Sequence, residues 1–298
     1  MASATVPKSV LITGCSPGGI GYALAVALHE RGWKVIATAR STDAIAALDA
    51  IGIQTVPLEV TNDESIASCF KHTRSATNGR GLDMFINNAG VSYTVAALDM
   101  NISEVRQIFD TNVFAVMALC QTFTPLLMQA KGTIVMIGSL AGVIPYVFGA
   151  GYNASKAALH QYANTLRVEL APFDVKVITV VTGGVASQLT KHVTRSLPPD
   201  SYYSQLEDVY QERQKHSASV GITPDQYAKD VLPQILPGGG PWPWRWFLRD
   251  ARKKWIWAGG QSGRVWFLSG GWLWSSVFDV FFTLKFKLNT LKEKHKTA

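Results

Sequence analysis

Residues 9–21 read SVLITGCSPGGIG, and three kinds of local signal follow one another there without a gap. Ser9–Thr13 is a short β-branched and apolar run, which predicts a strand. Thr13-Gly14-Cys15-Ser16-Pro17-Gly18-Gly19-Ile20-Gly21 then opens an amphipathic stretch over Ile20–Arg31, which predicts a helix. Glycines at such a junction let the backbone turn sharply and come close to a pyrophosphate, whose charge the helix N-terminus stabilises. A glycine-rich loop alone is as often a plain tight turn. Its place between a first strand and a first helix favours the nucleotide reading.

Outward from this junction the same alternation continues. Short apolar runs at Lys34–Thr38, Gln54–Leu58, Leu82–Asn87, Gly132–Ile137 and Lys176–Val181 predict further strands. Between them Asp43–Ile51, Asp63–Thr77, Ser103–Ala130 and Tyr152–Phe173 have helical patterning. Strands apolar at nearly every position and separated by helices indicate a parallel sheet covered on both faces. Right-handed crossovers then lead to a doubly wound, Rossmann-type α/β fold. Beyond Thr182 the pattern changes. Residues 184–221 are polar and suit a loop and lid over a cleft. Thr223–Leu236 begins with Thr-Pro-Asp-Gln, a helix start, with Pro233 expected to kink or end the helix early. Pro237–Pro241 is a turn-rich break, and Trp255–Ala258 reads as a last strand.

The end of the second strand bears on which dinucleotide would bind. Ala37-Thr38-Ala39-Arg40 lacks the acid that usually meets a ribose 2′-hydroxyl and offers a guanidinium instead. That exchange suits a 2′-phosphate and NADP(H), the alternative being a solvated arginine at the next helix start. Asn87-Asn88-Ala89-Gly90 closes the fourth strand with small and amide residues, as a crevice beside an adenosine would need. Tyr152-Asn153-Ala154-Ser155-Lys156 places a phenol and an ammonium one helical turn apart. A nearby cation favours phenolate and would lower the tyrosine pKa for proton exchange near neutrality. With nine tyrosines and sixteen lysines one such spacing is unremarkable by itself. Its company is less so: Ser139 ends the fifth strand and Asn112 lies in the long helix before it.

Taken together, the glycine loop at 13–21, Asn87–Gly90, Asn112, Ser139, Tyr152 and Lys156 resemble the short-chain dehydrogenase/reductases over about residues 8–260. The resemblance implies a seven-stranded sheet in one domain, 1–260, followed by an extension, 261–298. It implies that Tyr152 is the general acid, that Ser139 holds the substrate oxygen, and that Lys156 binds the nicotinamide ribose and lowers the Tyr152 pKa. Asn112 would keep a water that links Lys156 to solvent. Cofactor contacts are implied at Gly14, Ser16, Gly18, Gly19, Ile20, Arg40, Glu59, Val60, Asn88, Tyr152, Lys156, Val185 and Ser187. Three departures stand out. The glycine loop is one residue longer than usual, Glu59 stands where the family has aspartate, and Thr182-Gly183-Gly184-Val185 replaces the usual Pro-Gly, with Ser187 at a common threonine position. The loop, the Thr-Gly-Gly-Val pattern and the Trp-rich tail are similar to a fungal branch of NADPH-dependent 1-acyl-dihydroxyacetone-phosphate reductases and related secondary-metabolite reductases. A lipid-like carbonyl substrate is implied, with endoplasmic reticulum or lipid droplet as location.

Composition narrows the classes further. At 47% apolar and 16% charged residues a large core is available and disorder is excluded as the main state. Three cysteines without metal-type spacing point away from a disulfide scaffold or a metal site, and MASATVPKSV holds no apolar run for a secretory signal, so an intracellular protein is expected. The net charge of +7 is concentrated in the last fifth of the chain. Residues 238–298 hold 11 of the 28 basic residues and 3 of the 21 acidic ones, with eight of nine tryptophans between Trp242 and Trp274. No nucleic-acid motif accompanies this charge, whereas Trp flanked by Lys and Arg suits an anionic lipid surface. Val265–Leu284 has the length to span a bilayer, yet it carries Asp279 and a glycine pair. Surface attachment, spanning, and packing on the domain or at a homo-oligomer interface are the three readings of this segment.

Overall fold

The apolar runs form seven strands in a computed structural model that describes residues 6–187, 195–219, 221–236, 254–269 and 277–292. They are β1 (Ser9–Ile12), β2 (Lys34–Ala39), β3 (Gln54–Pro57), β4 (Met84–Asn87), β5 (Thr133–Ile137), β6 (Lys176–Thr182) and β7 (Trp255–Ala258). All pair in parallel, in the order β3-β2-β1-β4-β5-β6-β7. β1, β4 and β5 are buried at every position, while the edge strand β3 is mostly exposed. Central strands of a parallel sheet are covered on both faces, which is why they read as unbroken apolar runs. The order reverses between β1 and β4, and a crevice opens at the carboxyl ends of the strands at that switch point.

The helices are α1 (Ile20–His29), α2 (Ala46–Asp49), α3 (Asp63–Ala76), α4 (Ile102–Phe109), α5 (Ala115–Ala130), α6 (Ala150–Glu169), α7 (Glu207–Ser219), α8 (Pro224–Ile235), α9 (Ser262–Ser269) and α10 (Val277–Lys285). Where Ser103–Ala130 predicts one helix, a π-helical turn at Asp110–Phe114 separates α4 from α5. The predicted helix at Asp43–Ile51 is a 3₁₀ turn, Asp43–Ile45, leading into the short α2. α6 stops at Glu169 because Pro172 has no N–H to continue it, and a 3₁₀ turn follows at Ala171–Phe173. α8 is capped by Thr223, whose hydroxyl accepts from Gln226 N at 3.2 Å. It runs two residues past Pro233 instead of ending there. The carbonyl that Pro233 leaves without its helical partner belongs to exposed Lys229, where water can serve.

Period-two alternation divides the core. Val10, Ile12, Ile86 and Val135 face α1 and α8, packing with Leu24, Leu28, Tyr227 and Leu232. Leu11, Phe85, Ile134 and Met136 face the other way, against Leu119, Phe123 and Leu159. Phe123 lies 5.2 Å from the Phe85 ring and 5.7 Å from Phe70, so its truncation to alanine would cost about 3–5 kcal/mol. Ile102–Ala130, apolar and long enough to cross a bilayer by composition, buries Leu119, Phe123 and Leu127 in this layer.

A third cluster sits at the corner above β5 and α6, where Ile144, Phe148, Leu206 and Tyr210 meet Val265, Phe282 and Phe286. Packing on the domain is the reading of Val265–Leu284 that this cluster supports. The described parts of that segment fall into α9 and α10, and both helices bury side chains against the domain. Pro237–Pro241, the tryptophans from Trp242 to Trp246, and residues 188–194 of the expected lid lie outside the described residues.

Candidate active site

The loop after β1 is shaped by two left-handed glycines, Gly14 at φ +71° and Gly18 at φ +70°. A Cβ on Gly14 would stand 2.9 Å from Ala89 Cα, and one on Gly21 would stand 2.5 Å from Asn88 Nδ2 and 2.6 Å from Gly14 O. The loop therefore closes on the residues after β4 with no room for a side chain. Ser16, Pro17 and Gly18 are exposed, and Gly19 and Ile20 are half-buried. Gly19 caps α1 without any side-chain hydrogen bond, which leaves the first N–H groups of that helix to an outside acceptor. This cradle fits a pyrophosphate.

Asn88, expected as a cofactor contact, braces the glycine loop through its side chain. Its Nδ2 donates to Thr13 O at 2.8 Å and Gly14 O at 2.9 Å, and Thr13 Oγ1 accepts from the backbone N–H groups of Asn88 and Ala89. The side-chain amide nitrogen is committed to bracing the glycine loop. Arg40, just beyond β2, is exposed and makes no hydrogen bond among the described residues. Glu59, half-buried beyond β3, accepts from Thr61 N and Oγ1 at 3.3 and 3.0 Å, and Val60 beside it is buried. Val185 and Ser187 are both buried after β6, where Val185 bridges to Ile222.

The four residues expected to carry chemistry come together at the carboxyl ends of β4 and β5. The Ser139 hydroxyl stands near enough to the Tyr152 phenol to lower its pKa. Lys156 Nζ donates to Ile137 O at 3.1 Å and stands 5.9 Å from the Tyr152 ring centre. Asn112, in the π-helical turn, donates from Nδ2 to Val91 O at 3.0 Å and to Ser155 Oγ at 3.1 Å, and its Oδ1 accepts from Val91 N at 2.9 Å. A Cβ on Gly90 would lie 3.1 Å from Asn112 Oδ1 and 3.7 Å from Lys156 Nζ, so that glycine leaves the two groups a shared space.

One electrostatic expectation is overturned. The Tyr152 pKa is raised above its ordinary value by burial, against a lowering influence from the Ser139 hydroxyl and then from Arg213. Burial also brings Lys156 down to about 8. The desolvation of the phenol outweighs the Ser139 hydroxyl and the charge of Arg213, and Tyr152 holds its proton through neutral pH.

The short chain dehydrogenase profile matches residues 8–197. Short-chain dehydrogenase virD of Hypocrea virens is 40% identical over 289 residues, 97% of this chain and 96% of that protein. The chain belongs to the short-chain dehydrogenase family. The NADPH-dependent 1-acyldihydroxyacetone phosphate reductase of Schizosaccharomyces pombe is 39% identical over 94% of this chain and 95% of its own. A crystal structure of a short-chain dehydrogenase from Streptomyces avermitilis covers 99% of both chains with a TM-score of 0.72 and 22% identity, a likeness of fold. Membership makes this protein an oxidoreductase that binds a nicotinamide dinucleotide.

Two buried side chains of this short-chain dehydrogenase escape the sequence pattern. His160 Nε2 accepts from Ser139 N at 3.2 Å, and its ring lies 5.2 Å from that of Trp255. Burial, and then the charge of Lys156, depress its pKa to about 4, so the imidazole is neutral and can serve as that acceptor. Gly138 and Gly142 make space for it, since a Cβ on either would collide with the ring. Arg213 of α7 is the other, buried near Tyr152. The Thr-Gly-Gly-Val departure is also explained. A Cβ on Gly183 would run into Gly260 O, so the chain after β6 passes against the chain after β7 where only glycine fits.

Proposed function

We propose that the protein is an NADPH-dependent reductase that converts a ketone into a secondary alcohol. We further propose that its substrate is apolar or lipid-like, of the acyl-dihydroxyacetone-phosphate type. The observation that carries the reading is the convergence of Ser139, Tyr152 and Lys156 at the end of β5, with Lys156 Nζ on Ile137 O and 5.9 Å from the Tyr152 ring centre. The bound nicotinamide supplies the hydride. Tyr152 donates its proton to the carbonyl oxygen as charge develops there, and the Ser139 hydroxyl holds that oxygen by a hydrogen bond. Lys156, still cationic at neutral pH, binds the nicotinamide ribose and stabilises the tyrosinate left behind. Asn112 spends both Nδ2 hydrogens on Val91 and Ser155, which leaves one Oδ1 lone pair to hold a water between Lys156 and solvent. Arg40 takes the 2′-phosphate, supported by its exposed guanidinium, which makes no hydrogen bond among the described residues, and by the lack of an acid at the end of β2.

The same residues serve a reductase that tailors secondary metabolites and an NADP-linked alcohol dehydrogenase; substrate and cofactor ratio decide among them. Attachment to a lipid surface belongs to this proposal too, with the cytoplasmic face of the endoplasmic reticulum or a lipid droplet as the site. Exposed Trp266, Phe267, Val280, Phe281 and Leu284 beside Arg264, Lys285 and Lys287 support it.

The test is a cofactor-consumption assay with NADPH and with NADH over acyl-dihydroxyacetone phosphates, long-chain ketones and polyketide-type ketones. NADPH oxidation on at least one class, with NADH much slower, is expected. A protein that binds NADPH and consumes none across the panel is not this reductase.

A further inference from the structure

Arg213 is 7% exposed, and Nε donates to Val147 O at 3.0 Å while the guanidinium carbon stands 3.6 Å from the Tyr146 ring centre. These contacts fix the group in place and use one of its five N–H bonds. Its terminal nitrogens make no hydrogen bond among the described residues, and neither ion pair found there includes it. The groups whose charge bears on it are the phenols of Tyr146, Tyr152 and Tyr210, together with a second cation, Lys285. A buried charge without a counter-charge is expensive, and removing the charge altogether is the usual remedy. Here the cation is instead clamped in position.

Its position is informative. A Cβ on Gly149 would lie 3.5 Å from Arg213 Nη2, so the guanidinium stands at the positive end of the 20-residue α6, three residues before Tyr152. Tyr146 and Val147, which hold it, also line a cavity of about 260 Å³ with Ala150 and Asn153. On that wall Asn153 Oδ1 is buried without a hydrogen-bond partner among the described residues, an acceptor that a ligand hydroxyl would satisfy. Arg213, whose charge reaches the Tyr152 phenol, thus stands at a helix N-terminus beside this cavity wall, with Lys285 as a second cation near it.

We propose that Arg213 binds an anionic oxygen group of the substrate, a phosphate monoester or a carboxylate, beside the carbonyl that Tyr152 protonates. The proposal rests on the reductase reading and adds to it the charge of the substrate and the residue that recognises it. A guanidinium with both terminal nitrogens available matches either group through paired hydrogen bonds.

The test compares substrates that differ only in charge: an acyl-dihydroxyacetone phosphate with its dephosphorylated form, and a keto fatty acid with its methyl ester. In Arg213→Gln the ratio of kcat/KM for the charged member to that for the uncharged one is expected to fall at least tenfold in one pair. The pair that responds tells phosphate from carboxylate, and Arg213→Lys should recover part of the ratio. Equal losses on both members overturn the proposal, because a residue acting only through Tyr152 or through folding penalises both alike. A second measurement does not need turnover. With NADPH saturating, inorganic phosphate should raise the melting temperature of the wild type and leave Arg213→Gln unmoved; equal responses overturn the proposal. Failure of NADPH itself to bind, read in the same titration, would count against the reductase reading instead.

Discussion

Tyr152 keeps its proton because burial outweighs the charges around it, which is the state a proton donor to a developing alkoxide requires. Tyr152→Phe removes one oxygen and little volume. Turnover should fall by about 10²–10⁴, the usual share of a general acid, while the NADPH dissociation constant stays within a few-fold; near-wild-type turnover would show the proton comes from elsewhere. At Arg40 the question is charge. Arg40→Glu places a carboxylate where the 2′-phosphate is proposed to lie, and the preference for NADPH over NADH in a binding titration should drop by at least about tenfold, or ~1.4 kcal/mol. His160 ties residue chemistry to pH. Its folded pKa of about 4 lies below the ordinary 6.5, so the unfolded chain binds the proton first as pH falls. Stability is thus whole above pH 6.5 and declines down to pH 4, by about 3 kcal/mol from this group alone. Denaturant midpoints at pH 7 and pH 5 should differ less in His160→Asn than in the wild type.

At the scale of elements, glycines set how closely the pieces approach. Gly21→Ala would push a methyl against Asn88 Nδ2 and Gly14 O and lift α1 from the loop it completes. NADPH affinity should weaken about tenfold or more, measured by fluorescence titration. Gly263, in α9, has nothing within 4 Å of where its Cβ would stand. Gly263→Ala should hold or raise stability by up to about 1 kcal/mol, and a loss there would mean α9 packs differently. The π-helical turn at Asp110–Phe114 brings Asn112 against both Val91 and Ser155, a placement that an unbroken α-helix would shift. Such turns inside helices commonly mark functional positions.

For the whole molecule, the segment beyond residue 260 has two faces with different expectations. Val265, Phe282 and Phe286 are buried with Phe148 and Tyr210, next to the catalytic helix. Deleting residues 261–298 should therefore lower the melting temperature and impair activity, whatever the outer face does. Trp266, Phe267 and Phe281 lie on that outer face, 57%, 60% and 53% exposed. Trp266→Ser combined with Phe281→Ser should leave the melting temperature within about 2 °C and reduce sedimentation with anionic vesicles several-fold. Unchanged sedimentation would assign these rings to another partner.

Chain order and local pattern carried most of the fold and much of the site. All seven strands stand at the expected places within one or two residues, because parallel strands buried on both faces must be continuously apolar and each is bounded by a helix of opposite period. The convergence of Ser139, Tyr152 and Lys156 was legible because two share one helix face and the third closes a strand whose carboxyl end faces the same crevice. The π turn, the burial that raises the Tyr152 pKa, and the bracing task of Asn88 were not, since each depends on groups distant along the chain. His160 supports Ser139 across 21 residues, and Arg213 reaches Val147 across 66. Local sequence fixes which way a backbone turns and which face of an element is apolar. Desolvation and charge at a buried point are sums over whatever the completed packing brings there, and only the folded chain decides them.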